Sequence, residues 1–226
     1  LESCLSNDFS RRSEENLAVQ LLHQGADPFG LSPALQSPPL VLAARLGWHR
    51  LSDALLACGV DANAADASGL SALHVAAQPG RSEWLKPLIL AGANPKQRAL
   101  SGQTPLGYAL LSHSAEAVEW LSWPLWPLPC RRLQAFDLPG AVLRKDRTAV
   151  DKLLLLGLDL NALDRNGSTA LIHACGQGEM ETVERLLAHG ADAGVTASSG
   201  ATAVWAALSQ GHMPILRVLL LQGADV

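Results

Sequence analysis

No apolar run in this 226-residue chain approaches the length needed to cross a membrane; Arg or Asp interrupts every Leu-rich stretch. Neither sign of charge dominates. Seventeen Lys and Arg stand against 21 Asp and Glu, for a net charge of −4, which predicts no general attraction to nucleic acid. Cysteine is sparse, and Cys4, Cys58, Cys130 and Cys175 share no metal-ligand spacing. They read as free thiols, with Cys175 a small core residue, which suits a reducing, cytoplasmic setting. There is no phosphate loop, no dinucleotide fingerprint and no nucleophile–base–acid set at a recognisable spacing. The seven histidines (His23, His49, His74, His113, His173, His189 and His212) fall mostly at helix ends, the pattern of caps and surface positions rather than of metal ligands. The expectation is therefore a chain with no catalytic residue, no cofactor and no metal. No export signal is visible. Opening at Leu1 and closing on Gly-Ala-Asp-Val, the chain reads as a piece of a longer protein. Arg outnumbers Lys by 13 to 4, a hint of a GC-rich, bacterial genome.

What the chain does have is a repeated unit, clearest at residues 164–192. Asp164 and Gly167 make a turn, Thr169 is placed to cap a helix with its hydroxyl, and Leu171, Ala174 and Cys175 give that helix a small apolar face. Gly178 ends it. A second helix sets Val183, Leu186 and Leu187 on one stripe and Glu181, Glu184 and Arg185 on another, and Gly190 closes it.

The spacing repeats. Gly59 and Gly92 are 33 residues apart, as are Gly190 and Gly223, and each follows a Leu- or Ile-rich helix. A fixed period near 33 divides the chain into about seven units, each burying its apolar stripe only against its neighbours. The expected units are 1–30, an atypical cap, then 31–63, 64–96, 97–128, 129–161, 162–194 and 195–226, all in one domain. In the cap, Leu17 to Leu22 mark a second helix, while Asn7-Asp8-Phe9-Ser10 interrupts the first. The unit at 97–128 begins well but ends in Trp123-Pro124-Leu125-Trp126-Pro127-Leu128-Pro129, where a glycine turn is expected. The next is degenerate, with Pro139 and Gly140 where a helix is wanted.

These residues resemble the ankyrin-repeat family, whose pattern is Asp-x-x-Gly-x-Thr-Pro-Leu-His-x-Ala-Ala-x-x-Gly, a Leu-rich helix, then Gly-Ala-Asp-x-Asn. Residues 64–96, 162–194 and 195–226 match throughout; 31–63 and 97–123 match in part; 1–30 and 124–145 match thinly. The resemblance implies an all-α solenoid of stacked helix-turn-helix units with hairpin-like turns. In the family a histidine at the Thr-Pro-Leu-His position ties neighbouring turns. Only His74 stands there in this chain, with Val41, Gly107, Ile172 and Trp205 at the equivalent places. The resemblance also implies a non-catalytic module that binds another protein by its concave inner helices and hairpin tips. A regulatory or substrate-presenting domain of a larger enzyme or membrane-attached protein, and a structural spacer, remain the alternatives.

One local anomaly suggests where a partner would bind. Residues 130–152 hold six basic residues against three acidic, while the rest of the chain holds eleven against eighteen. In the repeat register Arg131 and Arg132 fall at a hairpin tip, and Arg144 and Lys145 at the end of an inner helix. Trp120 takes a core position, but Trp123 and Trp126 lie outside the buried pattern. Exposed Trp beside Arg has the composition of an interface hot spot. The expected site is thus Trp123, Trp126, Arg131, Arg132, Arg144 and Lys145, facing a partner with an acidic, partly apolar surface. The competing expectation is that the tryptophans fold down to patch the degenerate unit.

Overall fold

The computed structural model describes residues 2–30, 37–78, 81–124 and 127–224. Regular structure among them is helical, apart from one antiparallel bridge between Ala65 and Ser71. The helices fall into two compact units. One comprises Leu1–Ser122 with Leu128–Arg132, the other Trp123–Pro127 with Leu133–Val226.

The first unit opens with α1 (Glu2–His23). Three pairs follow: α2 (Pro39–Leu46) with α3 (His49–Ala57), α4 (Ala72–Ala76) with α5 (Leu85–Leu90), and α6 (Pro105–Leu111) with α7 (Ala115–Leu121). A short 3-10 turn, Ser82–Trp84, leads into α5. The first, inner helices stack α2 on α4 on α6, while α5 meets α7 and α1 lies against α3. The second unit repeats the plan with α8 (Asp137–Leu143) and α9 (Arg147–Leu155), α10 (Ala170–Gln177) and α11 (Met180–Ala188), and α12 (Ala203–Ser209) and α13 (Met213–Leu221). Here α10 is held between α8 and α12.

Each helix starts where its sequence allows. The hydroxyls of Thr104, Thr169 and Thr202 accept from the amides of Gly107, Ile172 and Trp205 at 3.1, 3.2 and 3.1 Å. This satisfies amides that have no partner inside the helix. Ser71 and His74 make a capping box at α4. Between the pairs, Leu40, Leu73, Leu138 and Leu171 of the inner helices are buried with Leu55, Leu88, Leu153 and Leu186 of the outer ones.

Two local expectations change. The amino-terminal cap is one continuous helix, not a broken pair. Asn7, Asp8 and Ser10 are only modest helix formers, but residues 2–23 contain no Pro or Gly to stop the helix. Likewise α8 forms across Pro139 and Gly140. Pro139 sits in the first turn, where its missing N–H has no intrahelical role.

Candidate partner-binding surface

The turns between pairs project as fingers built on aspartate. Asp164 Oδ1 accepts the amides of Asn166 and Ser168 at 2.8 and 3.0 Å, and Asp66 Oδ1 accepts those of Ser68 and Leu70 at 2.8 and 3.0 Å. Neighbouring fingers are bonded through their backbones: Leu100 N donates to Ser68 O at 3.0 Å, and Ser198 N to Gly167 O at 2.8 Å. His173 Nε2 reaches Asp164 Oδ2 at 2.9 Å and ties the finger to α10. Burial alone would raise the Asp164 carboxyl. The Ser168 amide, His173 and the Asn166 amide outweigh it and hold Asp164 below its ordinary range. His74, by contrast, is pushed down by burial, even though it faces the Gln103 carbonyl at 3.4 Å.

A second tie was not foreseen from the sequence. Asn63 Nδ2 donates to Gly92 O at 3.0 Å, and its Oδ1 accepts Asn94 N at 2.7 Å. Asn161 Oδ1 accepts Asp192 N in the same way at 2.9 Å. Both are the last residue of the Gly-Ala-Asp-x-Asn pattern or its variant, so the pattern itself carried the signal.

Of the six residues expected to form the site, Trp123, Arg144 and Lys145 belong to the second unit and Arg131 and Arg132 to the first. Trp123, expected either as an exposed anchor or folded down, is 8% exposed in the second unit; its ring centroid lies 4.9 Å from the Nζ of the buried Lys152. The indole thus meets a buried ammonium in a cation–π contact. Trp126 lies outside the described residues. Arg131 and Arg132 are exposed in the first unit, at a different place from the expected inner-side finger tip. The Arg131 backbone lies against the turn after α5, so close that a Cβ on Gly92 would stand 2.2 Å from the Arg131 carbonyl carbon. Arg132 borders a cavity of about 350 Å³ walled by Leu56, Val60, Pro87 and Leu90 at the ends of α3 and α5, with Asp53 also lining it.

Arg144 and Lys145 do end inner helix α8 and are exposed, as expected. Lys145, however, pairs with Glu179 at 3.2 Å, and Glu179 also meets Arg147 at 3.3 Å. Arg147 continues to Glu181, and Arg185 joins Glu181 at 2.6 Å and Asp151. Burial would raise the Glu179 carboxyl, but Lys145 and Arg147 hold it down; Asp151 and Glu181 raise the Arg185 guanidinium. Two of the six basic residues in 130–152, Lys145 and Arg147, are thus paired with carboxylates of the following helix pair, while Asp151 is paired with its Arg185.

Of the free thiols, Cys58 and Cys130 are exposed, and burial pushes the Cys175 thiol up to about 12, so it behaves as a core residue. Among the described residues, no group of three or more His, Cys, Asp or Glu is placed to hold a metal ion, and no helix is long and apolar enough to cross a membrane.

Apolar exposure on the inner side is the feature that sequence reasoning passed over. Leu100, at the tip of the finger turned by Ala99 and Gly102, is 81% exposed, and Leu46 and Leu111 stand exposed at the ends of α2 and α6. A leucine set between Ala99 and Ser101, just before the turn glycine, was its advance sign.

A sequence model of ankyrin repeats, in three copies, matches residues 10–99 and 138–226, well over half of the chain. Inversin of Canis lupus familiaris is 39% identical over 95 residues, covering 42% of this chain and 8% of that protein. Ankyrin repeat and SOCS box protein 6 of Mus musculus is 30% identical over 181 residues, covering 76% of this chain and 35% of the relative. A glycerophosphocholine phosphodiesterase of Schizosaccharomyces pombe is 38% identical over 86 residues, covering 37% of this chain and 8% of the enzyme. The chain thus spans only about a third or less of these curated relatives. The matched repeats, the stacked helix pairs and the aspartate-built fingers together show that the chain belongs to the ankyrin-repeat family.

Proposed function

We propose that this chain is a non-catalytic module that holds another protein by its finger tips and inner helices. Leu100 carries the reading. A large apolar side chain stands in water at a turn tip whose backbone is bonded to the preceding finger, so it is already ordered before a partner arrives. Family members are generally protein–protein interaction modules, which supports the same surface. Leu46 and Leu111 extend it along the inner helices. Arg131 and Arg132, exposed beside the turn after α5, steer a partner with an acidic, partly apolar surface.

Comparative capture tests this. A protein cross-linked to the wild-type chain should be lost with Leu100→Asp combined with Leu111→Asp, and kept with Glu184→Ala on an outer helix. The melting temperature should stay unchanged in both variants, because every altered side chain is exposed. Retention by the double variant would sink the inner-side reading. Arg131→Ala and Arg132→Ala should slow association and flatten its salt dependence, with little change in dissociation. A second reading, a regulatory or substrate-presenting domain of a larger protein, draws on the small share of each relative that the chain spans, one of them an enzyme.

A further inference from the structure

Three hydroxyls in the sequence have a basic residue three places before them: Ser101 after Arg98, Thr148 after Lys145 and Ser168 after Arg165. Their surroundings differ. Thr148 lies two places after the buried Asp146, and the cations before it, Lys145 and Arg147, are both paired with Glu179. Ser168 is half-buried in a finger built on Asp164, whose carboxylate accepts its amide at 3.0 Å. Ser101 is exposed at a finger tip, and so are Arg98 and, five places before the serine, Lys96.

This finger also lacks the acid that builds others. Ala99 stands where Asp66 and Asp164 stand in theirs, so it has no carboxylate to hold the amides of Ser101 and Gln103 or to repel an anion at the tip. The absence extends beyond the turn. From Trp84 to Ala115 the chain has no Asp or Glu but carries Lys86, Lys96 and Arg98, although the whole chain has a net charge of −4. The serines at the same place in two other fingers, Ser68 and Ser199, have Ala65 and Thr196 three places before them.

We propose that Ser101 is a phosphorylation site for a protein kinase whose acidic substrate cleft reads Arg98 and Lys96. Charge patterns around the acceptor are one way kinases select their substrates. The γ-phosphoryl group of ATP passes to Ser101 Oγ: a P–O bond to the serine forms as the bond to ADP breaks, and the kinase's base takes the hydroxyl proton. Arg98 already lies against this turn, its Nη1 donating to Gly102 O at 2.9 Å, so a guanidinium is at hand for the new phosphate. The phosphate sets roughly two negative charges next to Leu100. There it repels the acidic, partly apolar partner proposed above, a consequence that rests on that reading; the modification itself does not.

The folded chain, ATP and a purified kinase that reads arginine three residues before its serine test the proposal, with the modified residue located by mass spectrometry. No partner is needed, so the outcome is independent of the inner-side reading. Ser101 should be modified first, ahead of Ser168 and Thr148. Arg98→Ala should slow this by about tenfold or more. Arg98→Lys should keep part of the rate, and the melting temperature should be unchanged in both variants because the side chain is exposed. Ser101→Ala should leave Ser168 and Thr148 as slow as before. The proposal is overturned if Ser101 stays unmodified in the folded chain, if Ser168 or Thr148 is modified first, or if Arg98→Ala has no effect.

Discussion

Between Asp164 and Gly178 each turn is made by a residue suited to it; between His113 and Lys145 two are not. Gly178 ends α10 at φ 73°, in the left-handed region, as Gly47 and Gly211 do at the same place in their units. His113 and Lys145 occupy that place with φ 54° and 56°. A side chain there costs roughly 1 kcal/mol or more. The same stretch loses its outer-helix turn. Gly59, Gly92, Gly157, Gly190 and Gly223 follow the other outer helices, but α7 stops at Leu121 and Ser122 is already extended. Prolines begin at Pro124 and prevent any return to helix. The backbone plan survives losing these residues one at a time, at a local cost, because each pair needs only its neighbours.

The largest effect should come from removing the inner leucines. Leu138 and Leu171 hold equivalent places and both are fully buried. Leu171→Ala removes packing from a helix held on two sides, and should cost about 4 kcal/mol. Leu138→Ala, in the pair that carries Pro139, Gly140 and the left-handed Lys145, should cost nearer 2 kcal/mol, the lower end for a buried leucine. Urea unfolding measures both. Equal losses would erase the difference between regular and degenerate pairs.

Next come the left-handed turns. Gly178→Ala adds a Cβ where φ is positive and places it 2.6 Å from the His212 ring, so a loss of about 2 kcal/mol is expected. His113→Gly should do the reverse and stabilise by about 1 kcal/mol. Lys145→Gly should gain less, since it also gives up the pair with Glu179. If thermal unfolding shows His113→Gly to be neutral or harmful, the idea that this stretch is strained fails.

How much of this was legible in advance depends on the kind of residue. Period, helix pairs, caps and most of the core followed from Gly, Thr and Leu spacings, because those residues act on the backbone beside them. Trp123 was legible only as two alternatives, an exposed anchor or a folded-down patch; the contact with the Lys152 ammonium that accompanies its burial has no local sign in the sequence. The basic excess at 130–152 was visible as composition, but composition did not reveal that Lys145 is engaged by Glu179 or that Arg132 stands over the ends of α3 and α5. Leu100 was in plain view. What singles it out is exposure, which only the stacked structure supplies.

The smallest expected effects separate two ways of holding a carboxylate. Asp164 is held chiefly by amides of its own turn and by His173; Glu179 is held by the Lys145 and Arg147 side chains. Both keep their charge to lower pH when folded than when unfolded. The stability Asp164 contributes is therefore complete above its ordinary value of 3.8 and fades as pH falls through the lower folded value; for Glu179 the upper limit is 4.5. Asp164→Asn should thus cost about 1 kcal/mol near neutral pH and progressively less in acid. Glu179→Gln should cost about 0.5 kcal/mol at low salt and fade in acid too. Salt divides them. Lys145 and Arg147 are about half exposed, so added salt screens their hold on Glu179, whereas fixed amides lie at hydrogen-bond distance from Asp164 and are screened much less. Melting temperatures of both variants across pH and salt decide the matter. If high salt removes the cost of Asp164→Asn as fully as that of Glu179→Gln, the finger is held by its ion pair with His173 and not by its own backbone.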